Sequence, residues 1–335
     1  MTTYVLKRLG WMVVVLLCIT VITFILSRVI PADPAAAAAG VGATQEQVTA
    51  LSEKMGLDQP LVAQYFSFLG GLLHGDLGVS IITGDSVLSD LGTYLPATFE
   101  LVVFSFIIYL VLAVGLGMLA ARLRGGLVDA VTRVLSMVSS AAPVFWVALM
   151  LQLVFYAKLD WLPAGGRLNT DDIPPPKVTG FYTIDALIRG DGPIFLNALE
   201  HLLLPSIAIV LSLLGVGVRL VRASVDHELG EAYVRTAEAK GLAPRSILFR
   251  HVLKNALNPF VSMAGIQLGY LFAWIILVEP IVRWPGIGLY AFQAFQGIDY
   301  NPIMGITLVV SALFVVINFL VDLIYPALDP RVRRS

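Results

Sequence analysis

Charged side chains are scarce in this sequence. Only 13% of its 335 residues are Asp, Glu, Lys or Arg, whereas 58% are hydrophobic and the mean hydropathy is +0.85. This balance leaves too little polar surface to cover a water-soluble globule, so the lipid bilayer must be the solvent for most of the chain. The formal net charge of −1 offers no basic footprint, which argues against nucleic acid as a partner.

Three further absences narrow the function. The one cysteine, Cys18, can form no internal disulfide, and we expect it to be a small buried filler. The chain contains no Gly-Lys pair and so lacks the phosphate-binding loop G-x-x-x-x-G-K-[ST]. If hydrolysis of a nucleotide drives this membrane protein, the nucleotide therefore binds another subunit. The hydrophobic stretches display no paired carboxylates, His cluster or Ser/His constellation. We therefore expect no catalytic site, no metal site and no cofactor on this chain.

Hydrophobic runs free of Asp, Glu, Lys and Arg dominate instead. Each of six such runs, extended by a flanking turn, can cross about 30 Å of hydrocarbon as a helix. Because lipid offers no partner to a backbone amide, the sequence predicts an all-α membrane protein with a bundle of six transmembrane helices. The six runs are Trp11–Leu26, Leu101–Ala121, Val134–Tyr156, Leu202–Val218, Pro259–Val278 and Ile303–Val321.

The first run has an alternative interpretation. Lys7 and Arg8 precede its apolar core, and the small residues of Ala35–Gly40 resemble a cleavage site, as in a secretory signal peptide. However, the apolar segment continues to Ile30 and five further spans follow, which favours a retained first helix.

The distribution of Lys and Arg predicts the orientation. Residues 31–100 contain Lys54 alone against several acids, and residues 157–201 are balanced or acidic, so both loops belong outside. The other connections, the tail and the Lys7–Arg8 end are basic, which places both termini in the cytoplasm. The basic residues in these connections and the tail are Arg122, Arg124, Arg133, Arg219, Arg222, Arg235, Lys240, Arg245, Arg250, Lys254, Arg331, Arg333 and Arg334.

We divide the chain into three regions. Residues 1–30 hold the N-terminus and the first span, residues 31–100 form an extracytoplasmic loop, and residues 101–335 form a five-helix core with a cytoplasmic loop at 219–258. The second and third regions each contain one outer loop, and these differ in predicted structure.

The two outer loops are distinguished by their turn and cap residues. A capping box of Thr44 and Gln47 precedes a short amphipathic pattern, and apolar residues recur over Pro60–Leu73, so we expect two interfacial helices in the first outer loop. The other outer loop, residues 157–201, follows the third span and is called the third loop. Here Pro174–Pro176 rules out a long helix. The remainder, through Gly192, is either a partner-contacting loop or a flexible connection.

The uncharged spans bear on how transport is driven. Ion-coupled carriers usually keep ionisable residues within their spans, so an ion-coupled secondary transporter is the disfavoured alternative here. The polar residues inside the spans include Gln152, Gln267 and Asn318. They are either hydrogen-bonding contacts between helices or, as we consider for Gln267, part of a pore.

The cytoplasmic loop predicts a short helix from Glu231 to Gly241. Glu231 and Arg235 form an i, i+4 pair, and Tyr233, Ala237 and Gly241 fall on one face that another protein can approach closely. In the alternative interpretation this is a solvated basic loop that merely obeys the orientation rule.

A basic helix predicted at Arg245–Asn258 leads directly into the fifth span. A push on the short helix would therefore reach a pore helix through a rigid connection. This arrangement is what a transporter driven by a separate subunit requires.

Two further segments are candidates for the pore or its outer gate. Pro143 interrupts the third span and is followed by Phe145 and Trp146, which either line the pore or pack at a proline kink. After the fifth span, Glu279 and Arg283 form a candidate ion pair. Trp284 and the following Pro-Gly favour either a re-entrant turn or an interfacial tryptophan anchor.

These motifs resemble one known family. The stretch Tyr233-Val-Arg-Thr-Ala-Glu-Ala-Lys-Gly-Leu242 is similar to the coupling loop of the dipeptide, oligopeptide and nickel permeases of bacterial ABC importers. The chain resembles the first of their two permease subunits, because its N-terminus adjoins the first span and a long outer loop follows. Further matching motifs are Arg250-His251, Asn255-Ala-Leu257, Pro259, Ile30-Pro-Ala-Asp-Pro34, Gly75-Asp-Leu-Gly78, Leu95-Pro-Ala-Thr98, Pro143-Val-Phe-Trp146, Trp161-Leu-Pro-Ala164, Trp284-Pro-Gly-Ile-Gly288 and Leu328-Asp-Pro-Arg331.

The resemblance implies a type I importer in the bacterial inner membrane. Its partners are a second homologous permease, two subunits that bind ATP and Mg, and an extracytoplasmic solute-binding protein. This chain would be no enzyme but half of the pathway for short peptides; nickel chelates, glutathione and oligosaccharides remain alternative substrates. The residues implied in coupling are Tyr233, Arg235, Ala237, Glu238, Lys240, Gly241 and Leu242.

The coupling loop departs from the general importer motif E-A-A-x-x-x-G. With the glycine aligned on Gly241, Arg235 stands where Glu is usual and Thr236 where Ala is usual, while Ala237 is kept. We therefore expect Arg235 to contact an acidic group of the ATPase.

Overall fold

The computed structural model describes residues 2–29, 34–40, 42–54 and 56–328. Most of the motif Ile30–Pro34, nearly all of Leu328–Arg331, and the predicted cytoplasmic arginines of the tail lie outside the described residues. Fourteen α-helices follow one another in the described part: α1 (Thr2–Val29), α2 (Pro34–Ala39), α3 (Gln45–Lys54), α4 (Leu61–Leu73), α5 (Val87–Arg122), α6 (Leu127–Ala141), α7 (Val144–Leu151), α8 (Tyr182–Arg189), α9 (Gly192–Leu229), α10 (Ala232–Ala239), α11 (Pro244–Ser246), α12 (Leu253–Val278), α13 (Ile287–Gln296) and α14 (Tyr300–Leu328).

Two π-helical turns interrupt this pattern. Gln152–Lys158 extends α7, and Ile247–Val252 joins α11 to α12, so that Pro244–Val278 is one continuous helix of 35 residues. The only β-pairing among the described residues is an isolated bridge between Val79 and Ser86.

Five helices are long and apolar enough to cross a membrane, and the pair α6–α7 makes a sixth if it is counted as one span. The third span is interrupted at Pro143 as predicted, but far more sharply than a proline kink: α6 and α7 are bent by 112° relative to each other. Proline lacks an N–H and disfavours a helical residue before it, and both Ala142 (ψ 128°) and Pro143 (ψ 137°) are extended. The third span is therefore broken sharply rather than kinked.

Several spans exceed the predicted runs. The 38 residues of α9 reach about 57 Å at 1.5 Å per residue, well beyond the hydrocarbon thickness. The apolar pattern marks only the part of a helix that lipid surrounds. In α9, it missed the polar extension that leads to α10.

The chain divides into two compact units, the first formed by residues 1–98 and 285–319. Its core includes Val87, Leu91, Ile287 and Tyr290. The ring of Tyr290 stacks on that of Tyr94 with centroids 4.7 Å apart. Helix α13, which follows the fifth span in sequence, is thereby fixed to the start of α5.

The short helices predicted between the first two spans are present in this unit as α3 and α4. Thr44 and Gln47 form the predicted capping box, with Thr44 N donating to Gln47 Oε1 at 2.9 Å and Gln47 N to Thr44 Oγ1 at 3.3 Å. The hydroxyls of Tyr65 in α4 and Thr20 in α1 lie 2.9 Å apart. Cys18 is exposed on α1, contrary to our expectation, since little of this helix is covered by its own chain.

The second unit comprises residues 99–284 and 320–335, of which residues 99–284 and 320–328 are described. Helix α9 is its centre, with α6, α7, α8 and α12 packed around it. Glycines allow close backbone contacts: a Cβ added at Gly215 would lie 2.5 Å from Ser136 O in α6. Such small residues are what membrane helices use to approach each other closely.

Candidate functional site

The short helix predicted in the cytoplasmic loop is present as α10. Val234 (2% exposed) and Ala237 (8% exposed) face inward, and α10 packs on the π-helical turn Ile247–Val252. The helix ends at Ala239, and Gly241, two residues later, has a φ of +75°, a left-handed conformation that suits glycine. The helix therefore sits on the base of the continuous Pro244–Val278 helix, as the rigid connection requires.

The outward face of α10 differs from the predicted one. Ala237 is buried, and Tyr233 is half-buried with its hydroxyl donating to Glu228 Oε2 at 2.6 Å. Burial raises the pKa of the Tyr233 phenol, and the hydrogen bond to Glu228 raises it further. Ala237 and most of Tyr233 thus support α10 from inside. The predicted coupling residues that are exposed are Arg235, Glu238, Lys240, Gly241 and Leu242.

The predicted ion pair between Glu231 and Arg235 does not form. Glu231 precedes α10 with an extended backbone (ψ 152°), so it does not share the helical ridge that i, i+4 partners need. Its Oε1 lies instead 3.8 Å from His227 Nε2. The exposed Arg235 guanidinium therefore remains available to a partner.

A buried carboxylate that the sequence analysis missed lies near the same end of α9. Asp129 in α6 is 1% exposed, and its Oδ2 accepts hydrogen bonds from Arg133 Nη2 at 3.1 Å and from Arg222 Nη2 at 3.2 Å. Arg219 Nη1 donates to Ser136 O at 3.1 Å. In the sequence, these arginines indicate membrane orientation alone. The signal available in the sequence was the acid within a basic connection, four residues before Arg133.

The break between α6 and α7 forms an apolar surface. Phe145 and Trp146 are 48% and 49% exposed, so their rings do not fill the break. Together with Pro143 they border an open concavity of about 430 Å³, which is also lined by Val138, Ala141 and Ala142. The exposure disagrees with packing of the two rings at a kink, and their pore-lining role stays a prediction.

The turn after α12 contains Glu279, Arg283 and Trp284, and their arrangement differs from the predicted one. Glu279 is fully buried, whereas Arg283 is exposed with a φ of +48°, and the predicted ion pair between them does not form. The left-handed turn at Arg283 takes it off the helical ridge that Glu279 occupies. Trp284 is 1% exposed, which excludes it as a tryptophan anchor on this chain's surface.

The third loop is an ordered structure, not a flexible connection. Arg167 and Glu100 form a buried ion pair, and the Arg167 guanidinium lies 3.5 Å from the centroid of the Tyr182 ring and 5.6 Å from that of Trp284. Thr183 donates to Glu100 Oε1 through its N–H at 2.8 Å and its hydroxyl at 2.6 Å. The loop is thus fixed to α5 and to the turn after α12.

A second carboxylate fixes the same loop. Asp185 accepts hydrogen bonds from the backbone N–H groups of Val178, Thr179 and Gly180 at 3.2, 2.8 and 3.0 Å. Burial would raise the pKa of the Asp185 carboxyl, but these bonds and that of the Thr179 hydroxyl outweigh burial and hold the pKa below its usual value.

The two glutamines of the spans have different environments. Gln152 Nε2 donates to Ala164 O at 2.6 Å and to Ile281 O at 3.2 Å, so it joins the third loop to the turn after α12. Gln267 is 6% exposed within α12. Among the described residues, no three His, Cys, Asp or Glu side chains are grouped so that they could hold a metal ion.

Comparison with known proteins agrees with this architecture. Residues 113–334 match the family model described as "Binding-protein-dependent transport system inner membrane component", and residues 1–102 match that of its N-terminal region.

Individual relatives match along their whole length. The chain is 40% identical to the Probable D,D-dipeptide transport system permease protein DdpB of Escherichia coli (strain K12), over 99% of this chain and 98% of that protein. It is 37% identical to the Dipeptide transport system permease protein DppB of Alkalihalophilus pseudofirmus, over 99% of this chain and 100% of that protein. It is also 37% identical to the Di/tripeptide transport system permease protein DppB of Pseudomonas aeruginosa, over 100% of both. The chain therefore belongs to the family of binding-protein-dependent transport system inner membrane components, the transmembrane permease subunits of ABC importers.

Proposed function

We propose that this chain forms half of the translocation pathway of an importer for short peptides. The relatives at 37–40% identity are named for dipeptides, D,D-dipeptides or di- and tripeptides, which favours this substrate class over nickel chelates, glutathione or oligosaccharides. The other half of the pathway would come from a second, homologous permease, with a solute-binding protein delivering peptide from outside. Two ATPase subunits on the cytoplasmic side would hydrolyse ATP with Mg.

The position of α10 is the observation that carries this proposal. Its inner side is buried on the π-helical turn Ile247–Val252, while Arg235, Glu238 and Lys240 point outward. A groove on the ATPase would receive this face, with the three charges setting the electrostatic fit. Because α10 rests on the helix that continues to Val278, movement of the ATPase would be passed to a membrane-spanning helix.

The pathway itself would run along the broken third span. Phe145 and Trp146 expose large rings beside the apolar concavity at Pro143, where a second permease would complete a closed channel. In the outer part, the exposed Arg283 would face the solute-binding protein or its peptide. In this arrangement both termini and α10 are cytoplasmic, consistent with the distribution of basic residues.

Gly241→Trp tests the coupling role of α10. A Cβ at Gly241 would meet no atom within 4 Å, so the ring would project from the coupling surface without a clash inside this chain. We expect peptide uptake to fall at least tenfold and its ratio to ATP hydrolysis to fall with it. The measurements are uptake of a labelled dipeptide by cells and ATPase activity of the purified complex.

Gly190→Trp is the matched control. Gly190 also has a left-handed backbone (φ +72°) with open space at its Cβ, but it ends α8 in the third loop, far along the chain from α10. Both variants carry the same backbone strain, so only Gly241→Trp should uncouple uptake from hydrolysis. If Gly241→Trp is present in the membrane in the same amount as the wild-type protein and peptide uptake is normal, the proposal is contradicted.

A further inference from the structure

The buried ion pair between α6 and α9 is incomplete. Oδ2 of Asp129 accepts three hydrogen bonds, from Arg133 Nη2, from Arg222 Nη2 and from Gly125 N at 3.1 Å. Oδ1 of Asp129 is buried and accepts none from the described residues, although Arg222 Nη2 lies 3.0 Å away. Arg222 Nε is also buried, with no acceptor in the described part of the chain. One acceptor and one donor are thus unmatched on the two sides of a single ion pair.

Arginine has a second way to bind this carboxylate. Two parallel N–H groups of a guanidinium match the two oxygens of a carboxylate, and this bidentate form is the stronger one. A small movement of α9 along α6 would bring Nε and Nη2 of Arg222 opposite the two oxygens of Asp129. Because a buried polar atom without a partner is destabilising, satisfying both atoms gives this movement a driving force.

The ion pair connects the two parts that a transport cycle must couple. From Arg222, α9 continues to Leu229 and then to α10, whereas from Asp129, α6 continues to the break at Pro143. The seam between α6 and α9 is tight along this path: Gly215 N donates to Ser139 Oγ at 3.0 Å, and the two backbones nearly touch at Gly215. A movement of α9 that shifts Arg222 relative to Asp129 is therefore passed in part to α6 through the close contact at Gly215.

We propose that Asp129 and Arg222 form a two-position latch. The singly bonded form is the one in this structure, and the bidentate form is adopted when the ATPase displaces α10 and with it the end of α9. The resulting turn of α6 changes the opening beside Pro143. This inference rests on the proposed function, since it needs an ATPase acting on α10, and it adds a route to the one through the Pro244–Val278 helix. Asp129 and Arg222 are positioning residues in it.

Arg222→Lys tests the latch, and Arg133→Lys is its matched control. Both substitutions replace an arginine that donates to Asp129, and both keep the positive charge. Lysine is a point donor that cannot make the parallel pair of bonds, so only the position that switches should depend on arginine. Each variant is assembled with its partner permease, ATPases and binding protein in lipid vesicles. Labelled dipeptide transported per ATP hydrolysed is then measured.

We expect Arg222→Lys to lower that ratio about tenfold, the effect of one hydrogen bond to a charged group. Arg133→Lys, whose arginine side chain is 53% exposed, should stay within about twofold of the wild-type ratio. A wild-type ratio for Arg222→Lys would overturn the latch. An equal loss in both variants would overturn it too, since arginine geometry would then matter at both positions and not only at the one that switches.

A distance measurement keeps the test decisive if Arg222→Lys assembles poorly. Val131 in α6 and Ala223 in α9 are both exposed, and Cys18 is the only native cysteine. Spin labels at Val131→Cys and Ala223→Cys, in a Cys18→Ser background, report the movement of α9 against α6. We expect the distance in the otherwise wild-type complex to change when nucleotide is trapped by vanadate, and an unchanged distance would overturn the latch. A wild-type complex that moves but carries no peptide would instead refute the proposed substrate.

Discussion

At the scale of single residues, the buried pair Glu100–Arg167 is the strongest constraint on the third loop. Both side chains are at least 90% buried, and Thr183 and the Tyr182 ring complete their surroundings. Breaking a buried pair by removing one partner leaves an uncompensated charge, which destabilises by about 3–5 kcal/mol. The thermal stability of the protein should therefore depend on both partners of the pair.

We expect Arg167→Met to lower the thermal stability of the purified complex by several degrees, because Glu100 is left charged and buried. The double variant Glu100→Gln with Arg167→Met should recover part of the loss, since no buried charge then remains. The measurement is the melting temperature in detergent, with Arg189→Met on an exposed arginine as the control. A single variant as stable as this control would contradict the buried pair.

The carboxylate of Asp185 makes a prediction about local opening. Its pKa is held below the usual value, so the bonds that it accepts stabilise the loop above the unfolded-state pKa of about 4. This stabilisation is lost as the pH falls through the lower folded-state pKa. We expect Asp185→Ala to raise hydrogen exchange at the amides of residues 178–180 at neutral pH. Unchanged exchange there would show that the carboxylate does not hold the loop.

At the scale of elements, the close approach of α6 and α9 depends on Gly215. A methyl group there would lie 2.5 Å from Ser136 O, so the two backbones would have to separate. We expect Gly215→Ala to destabilise the protein by about 1–3 kcal/mol, as overpacking does. Gly115→Ala in α5, where a Cβ meets nothing within 4 Å, should be neutral or slightly stabilising. Melting temperatures that fall equally in both variants would refute the tight seam.

Most of the helices could be predicted from the sequence, but the angle between α6 and α7 could not. Lipid excludes charge, so the uncharged runs located five helices and both halves of the third span, and local caps located α3 and α10. The 112° break was underestimated, because Pro143 indicates an interruption but not its angle. The Glu231–Arg235 and Glu279–Arg283 pairs failed because each assumed an uninterrupted helix between the partners.

At the scale of the whole molecule, the family and the role as a transport permease could be predicted from the sequence, but the buried polar contacts could not. The motifs that carry the resemblance are local, whereas Glu100 and Arg167 are separated by 67 residues and Asp129 and Arg222 by 93. The sequence holds a local signal for Asp129 and Arg133, but none that joins partners so far apart, because packing sets those pairs. These contacts are also the ones that hold the third loop and the α6–α9 seam.

The central claim is that ATP hydrolysis on a partner, acting through α10, drives peptide through a pathway that this chain half encloses. Its most direct test is uptake of a labelled dipeptide by vesicles containing the complete complex, with ATP supplied and ionophores present. The account predicts uptake that persists without ion gradients, requires ATP and stops with vanadate. Uptake that collapses with the ion gradient, from a chain that copurifies with no ATPase, would contradict it and support an ion-coupled carrier.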